Sequence, residues 1–386
     1  MLYCALFALA VLIPVAVAAP AAKPNLFLSR LRLRGIHDQP FVGHRLPEFR
    51  WQLNCDGDCW DVKQLRYRVL CFTPDGRNFL DTGDVNSSAV HHVVRQPLSA
   101  LQSDSLYKWS VDVEAVVAGD QSSVLSAHGE SSFQTALLDA NDWEGVAWLG
   151  GGTLFRKEFE VKQMLTVATA YISGVGCFEM SIDGRKVDTK AFMEPSWTNE
   201  PPLRMLYRAY DVTDMLLGSR TSDTSPHVIG IRTGMCKYGY LGQYCVGAAG
   251  GGSALCRAIT MLLSLEFDDG STEAITTLAD GTWLTTTAAD PIRYSHLYHG
   301  EIYNASLENG WDKPGAELSD AWAPAVEYPF SRSSLGPLSL AIGPSIGLVE
   351  TRELVGLTVV QLTNESEAVV LDFGMNMAGF ASLFAS

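Results

Sequence analysis

The sequence predicts an all-β protein of tandem β-sandwiches, and three observations carry that prediction. Apolar and polar residues alternate with period two in several stretches. Turn dipeptides such as Asp-Gly close those stretches. The 9 Trp and 13 Tyr sit among many Val, Thr and Gly, a mixture that favours strands over helices. With 386 residues, 47% hydrophobic and only 18% charged, the chain can bury cores for two or three domains and is neither disordered nor a coiled coil. Its 28 Lys and Arg against 43 Asp and Glu leave a net charge of −15, which argues against nucleic acid as a partner.

Taken in order, the elements read as follows. Tyr107, Trp109, Val111 and Val113 alternate with Lys108, Ser110, Asp112 and Glu114, the pattern of a half-buried strand. Phe178, Met180 and Ile182 repeat it into Asp183-Gly184, and Ile259, Met261, Leu263, Leu265 and Phe267 into Asp269-Gly270. Pro74-Asp75-Gly76 is a further turn signal. One helical turn is expected near Thr213–Leu217, with Thr213 as its N-cap. The punctuation divides the chain into a sandwich over 25–136, a larger one over 143–328, a Ser/Gly/Pro-rich linker over 331–347, and a last β segment over 348–386 too short to close a core alone.

The first eighteen residues, Met1 to Ala18, form an apolar run ending in Ala16-Val17-Ala18, the pattern of a cleaved signal peptide. Pro14 interrupts the run, which is barely long enough to span a bilayer, so membrane attachment is expected only if it stays uncleaved. The expected location is secreted or lumenal. There Cys55–Cys59 and one pair among Cys236, Cys245 and Cys256 are candidate disulfides, and the odd count after removal of Cys4 leaves a thiol over. Asn86, Asn304 and Asn364 head glycosylation sequons.

A family resemblance rests on short motifs in a fixed order. They are Leu154-Phe155-Arg156-Lys157-Glu158-Phe159, Ala170-Tyr171-Ile172-Ser173-Gly174-Val175-Gly176, Ile182-Asp183-Gly184-Arg185-Lys186-Val187, Glu194-Pro195-Ser196-Trp197-Thr198, Tyr210-Asp211-Val212-Thr213-Asp214-Met215-Leu216, and His299-Gly300-Glu301-Ile302-Tyr303-Asn304-Ala305 before Gly310-Trp311-Asp312. This region resembles the N-terminal modules of the multi-domain α-L-rhamnosidases. Phe49-Arg50-Trp51-Gln52-Leu53 and Tyr107-Lys108-Trp109-Ser110-Val111 resemble that family's leading immunoglobulin/fibronectin III-like domain. Asp372-Phe373-Gly374-Met375-Asn376-Met377-Ala378-Gly379 resembles the opening of its next, concanavalin-like β domain. The resemblance implies a jelly-roll-like middle domain, a part in inverting removal of terminal L-rhamnose, and rhamnose-containing glycosides or polysaccharides as partners. It places the two catalytic carboxylates on a following (α/α)₆ barrel, so no residue here is expected to be catalytic, and the chain alone is expected to be inactive. The alternative is a stand-alone carbohydrate-binding or adhesive extracellular protein without hydrolase activity.

Among candidate sugar contacts, Trp197 offers an aromatic face beside the Glu194 carboxylate, with Glu301 and Tyr303 on a later strand. A core tryptophan and solvated carboxylates are the competing reading. Some relatives bind rhamnose with calcium, but Glu194 stands where the family has Asp and Thr233 where it has Asn, so neither cofactor nor metal is expected. His296 and His299, three apart on a strand, face opposite ways, as do His91 and His92. Gly174-Val175-Gly176 lacks the third glycine of a nucleotide loop, and no serine sits in a G-x-S-x-G elbow.

Overall fold

A computed structural model describes residues 25–33, 41–57, 59, 61–117, 120–161, 164–195, 204–217, 226–234, 257–296, 300–328, 335–341, 343, 345–363 and 366–379. The expected signal segment lies outside them, as do Trp197, Cys236, Cys245, Cys256, His299 and Asn364. The fold is nearly all β, as the alternation predicts.

The first domain contains β1 (Asn25–Leu33), β2 (Phe41–Val42), β3 (Glu48–Asp56), β4 (Val62–Phe72), β5 (Asn78–Asp81), β6 (Val85–Asn86), β7 (His91–Val93), β8 (Leu106–Val117) and β9 (Asp120–Thr135). One sheet runs β1-β3-β7 and the other β2-β9-β8-β4-β5, with β6 beside β4. Tyr107, Trp109, Val111 and Val113 of β8 are buried while Lys108 and Asp112 face solvent, as expected; Ser110 is buried too. The core is aromatic: Phe49 lies 4.9 Å from Trp109, and Tyr107 stacks on Phe133 at 5.4 Å. Such side chains each contribute about 1.5–3 kcal/mol by leaving water. Cys55 and Cys59 form the expected disulfide, and among the described residues Cys71 is a buried free thiol.

The middle domain follows a 3₁₀ turn at Ala140–Trp143. Its strands are β10 (Leu149–Gly150), β11 (Leu154–Phe159), β12 (Leu165–Val175), β13 (Cys177–Ile182), β14 (Arg185–Lys186), β15 (Ala191–Phe192), β16 (Met205–Asp211), β17 (His227–Gly234), β18 (Ala258–Phe267), β19 (Thr272–Thr276), β20 (Leu284–Thr286), β21 (Ile292–His296), β22 (Gly300–Tyr303), β23 (Ala323–Pro324) and β24 (Val326–Glu327). The sheet β24-β10-β18-β12-β16 faces the sheet β14-β13-β17-β11-β20-β23 across one core that includes Phe155, Ile172, Met180, Ile231, Met261 and Trp283. Asp183 and Gly184 both have positive φ, +52° and +76°, so Asp-Gly makes the tight turn expected of it. Cys177 is also disulfide-bonded, a pairing outside those proposed from the sequence.

The motifs meet in space. The buried Arg156 donates through Nε to the Trp311 carbonyl at 2.9 Å, and Ser181 Oγ donates to Asp312 at 2.6 Å, tying the Gly-Trp-Asp segment across the second sheet. Two expectations need correction. The helix α1 (Thr213–Leu217) is not capped by Thr213: that hydroxyl accepts from the Ala168 N–H at 2.9 Å, and the Asp211 carboxylate accepts from Thr213 N–H at 3.0 Å instead. The 331–347 stretch is no simple linker, because β25 (Leu338–Leu340) adds in parallel to β16 and β26 (Ile346–Gly347) pairs with β15. Apolar Leu335 and Leu340 give this stretch something to bury, which its Ser, Gly and Pro content concealed.

The two domains share an apolar cluster of Phe41, Leu137, Trp143, Tyr171, Tyr207 and Leu340. Gly43 passes so close to Leu340 that a Cβ there would lie 2.5 Å from the leucine Cβ. Beyond it, β27 (Gly356–Thr363) and β28 (Ser366–Asp372) form a hairpin with exposed residues on both faces.

Candidate sugar-binding site

Glu194 is placed by a single bridge in which its carbonyl accepts from Phe178 N–H at 2.9 Å. The residue is 4% exposed, and its carboxylate pairs with the Nε of Arg208, itself buried. Arg208 also donates to the carbonyls of Ala341 and Gly343, at 3.1 and 3.2 Å. The pair therefore holds the segment after β25 against the middle domain. Glu194 Oε1 has no hydrogen-bond partner and borders a cavity of about 10 Å³. That is room for one water, not a sugar ring. Glu194 as described is thus a structural carboxylate, and Trp197 lies outside the described residues.

Thr233 is likewise committed: its hydroxyl donates to the Thr153 carbonyl at 3.1 Å and the residue is buried. Glu194 is thus engaged through Oε2 by Arg208, and the Thr233 hydroxyl by a backbone carbonyl. Among the described residues, no three His, Cys, Asp or Glu side chains group as metal ligands.

Glu301 and Tyr303 stand on β22 and are exposed. They lie two apart on one strand and therefore share a face. Tyr303 Oη donates to Glu308 at 2.9 Å, and that bond raises the phenol above its ordinary pKa. No contact between described residues links either one to Glu194.

What Tyr303 joins is a cluster that the sequence reading missed. Arg232 on β17 has Nη2 3.6 Å from Glu308 and Nε 3.7 Å from the buried Asp290. Neither distance is a hydrogen bond. Asp290 is fixed by Thr153 Oγ1 at 2.5 Å and by the Ile292 N–H at 2.9 Å. The Nε atoms of Arg232 and Arg257 are buried and, among the described residues, have no hydrogen-bond partner. Burial lowers the Arg257 pKa, while Asp290 opposes that shift. Unused guanidinium donors, fixed carboxylate acceptors and a half-exposed tyrosine ring suit a polyhydroxylated ligand. The available signal was Arg232 itself, the only charged residue in the apolar run His-Val-Ile-Gly-Ile-Arg-Thr-Gly.

Family comparisons agree with the layout. Residues 28–139 match the Rha78A-like N-terminal immunoglobulin domain, and residues 163–341 match the alpha-L-rhamnosidase N-terminal domain. The chain carries the N-terminal domains of the α-L-rhamnosidase family. An alpha-L-rhamnosidase of an Alteromonas species is 23% identical over 360 residues, covering 87% of this chain and 36% of the relative. The crystal structure of an Aspergillus terreus α-L-rhamnosidase superimposes with a TM-score of 0.71 at 25% identity, over 91% of this chain and 39% of that one. A Streptomyces avermitilis α-L-rhamnosidase solved with L-rhamnose gives 0.62 at 14% identity, over 82% and 46%, a likeness of fold. The chain spans 22% to 37% of the length of the curated α-L-rhamnosidases it matches.

Proposed function

We propose that these domains are the non-catalytic N-terminal portion of a secreted, inverting α-L-rhamnosidase, and that the Arg232 face of the middle domain holds part of a rhamnose-bearing glycan. The observation that carries the binding half is the Arg232 guanidinium, ion-paired at long range with Asp290 through Nε and with Glu308 through Nη2 but making no hydrogen bond through Nε. The Arg232 side chain is partly exposed, and the solvent-facing N–H groups of a guanidinium donate readily to sugar hydroxyls. Hydrolysis with inversion needs an acid and a base roughly 6.5–9.5 Å apart across the anomeric carbon. In the described cluster Asp290 is buried and bonded, and Glu308 holds Tyr303, so the residues act here in binding and orientation.

Calorimetry with L-rhamnose and a rhamnose-terminated oligosaccharide tests this reading. Arg232→Met should lower affinity at least tenfold, and Tyr303→Phe less. Heats equal to wild type for Arg232→Met would remove the cluster from the site, and Trp197→Ala, measured in parallel, would then report on the alternative contact. Secretion is supported by the Ala16-Val17-Ala18 ending and by the exposed sequon residues Asn86 and Asn304. N-terminal sequencing of the mature protein should find a start just after Ala18; an intact Met1 would refute cleavage.

A further inference from the structure

The first domain carries a separate concave site. A cleft of about 700 Å³ opens where β1, β3, the start of β4 and the 88–91 segment meet. That volume lies within the range of sites that enclose small ligands. Arg30, Arg32, Arg50 and Lys63 line it, with Asp61 as the carboxylate on its wall. In a chain of net charge −15, this concentration of cations is a local reversal of sign.

The cations are held together against their own repulsion. Arg32 and Arg50 are direct cross-strand partners between β1 and β3. Like charges opposed in this way destabilise a sheet. Their register follows from a β-bulge between Ser29 and Arg32, where Arg30 takes a φ of +48°. That left-handed conformation is uncommon for arginine, and bulges re-aim side chains. Arg50 is partly neutralised by Glu48 at 2.5 Å. Among the described residues, the side chains of Arg30, Arg32 and Lys63 have no ion pair or hydrogen bond.

Beneath them a hydrogen-bonded network forms the base of the cleft. Trp51 Nε1 donates to Gln64 Oε1 at 2.9 Å, and the Gln64 amide donates onward to the carbonyls of Ser87 and Ala89 at 3.0 and 2.6 Å. Planar guanidiniums on a fixed base match carboxylate and sulfate oxygens in pairs. The neutral groups of Gln52 and Ser88 on the same walls suit hydroxyls between the charges.

We propose that this cleft binds an anionic oligosaccharide, with Arg30, Arg32 and Lys63 gripping its carboxylate or sulfate groups. The anionic half rests on the cleft alone; the saccharide half rests on the function proposed above. The full chain should be titrated by calorimetry with an oligogalacturonate, a sulfated galactan oligosaccharide, a neutral galactan oligosaccharide and an oligoglutamate. The expected result is binding of at least one anionic oligosaccharide, weakened at least tenfold by Arg32→Gln with Lys63→Gln and by raising salt from about 50 to about 500 mM. Arg77→Gln, on an exposed turn of the same domain, should leave it unchanged, and thermal melts of all variants control for folding. Preference between the first two ligands assigns the group as carboxylate or sulfate. Equal binding of the neutral oligosaccharide, equal binding of oligoglutamate, or wild-type affinity in the Arg32/Lys63 variant overturns the proposal. Arg232→Met should retain anion binding here while losing the rhamnose response, which separates failure of this site from failure of the other.

Discussion

At the junction of the two sandwiches, Trp143, Tyr171 and Tyr207 are buried, and their polar tips are used: Tyr207 Oη donates to the Leu137 carbonyl at 2.7 Å and Tyr171 Oη to Asp104 at 2.5 Å. In the β27–β28 hairpin, Leu357, Val359 and Val369 remain 60%, 56% and 57% exposed. Both regions include strands rich in apolar residues, β12 and β16 at the junction and β27 and β28 in the hairpin. The difference lies in what stands opposite. Tyr207 meets the ring of Trp143 at 5.3 Å, whereas among the described residues each hairpin strand pairs only with the other. Alternation makes a strand; burial needs a second surface, and a lone two-stranded hairpin is marginal in water.

Four substitutions break or sharpen that contrast. The largest effect is expected at the junction, where Trp143→Ala should cost about 3–5 kcal/mol in urea denaturation. A loss below about 1 kcal/mol would mean the two domains unfold independently of this contact. Glu194→Gln should cost about 3 kcal/mol, because it leaves the buried Arg208 charge uncompensated. Restoration by a second change, Arg208→Met, would attribute that loss to the stranded charge, and a failure to recover would point to the lost carbonyl contacts at 341 and 343. Gly43→Ala pushes a methyl group against Leu340 and should cost about 1–3 kcal/mol by overpacking. A neutral result would indicate that β25 yields. Val359→Thr should change stability by less than about 0.5 kcal/mol, as exposed positions do. A loss above about 1 kcal/mol would instead reveal that the hairpin is covered in solution.

Much of the architecture was legible. The period-two runs ending at Val113, Ile182 and Phe267 became strands with the expected faces buried, because that pattern depends only on local backbone geometry and on which side is greasy. The turn at Asp183-Gly184 was legible for the same local reason. The candidate site was legible only in part. Tyr303 reached a polar cluster, but Glu194 turned inward to Arg208, fourteen positions away, and nothing in the local sequence announces that pairing.

The sequence by itself determined the strand periodicity, the turns, the Cys55–Cys59 closure and the order of the domains, all of which follow from neighbours within a few residues. Only the tertiary structure decided that 338–347 contributes strands rather than a free connection, that Asp211 and not Thr213 serves the helix, and that Arg232, Asp290 and Glu308 share a face. It also decided that four cations from three strands line one cleft in an acidic chain. The physical reason is the same in each case. Burial and charge pairing are set by whatever the fold brings opposite a side chain, and the groups that meet here are far apart in sequence, as Thr153 and Asp290 are at a separation of 137 residues.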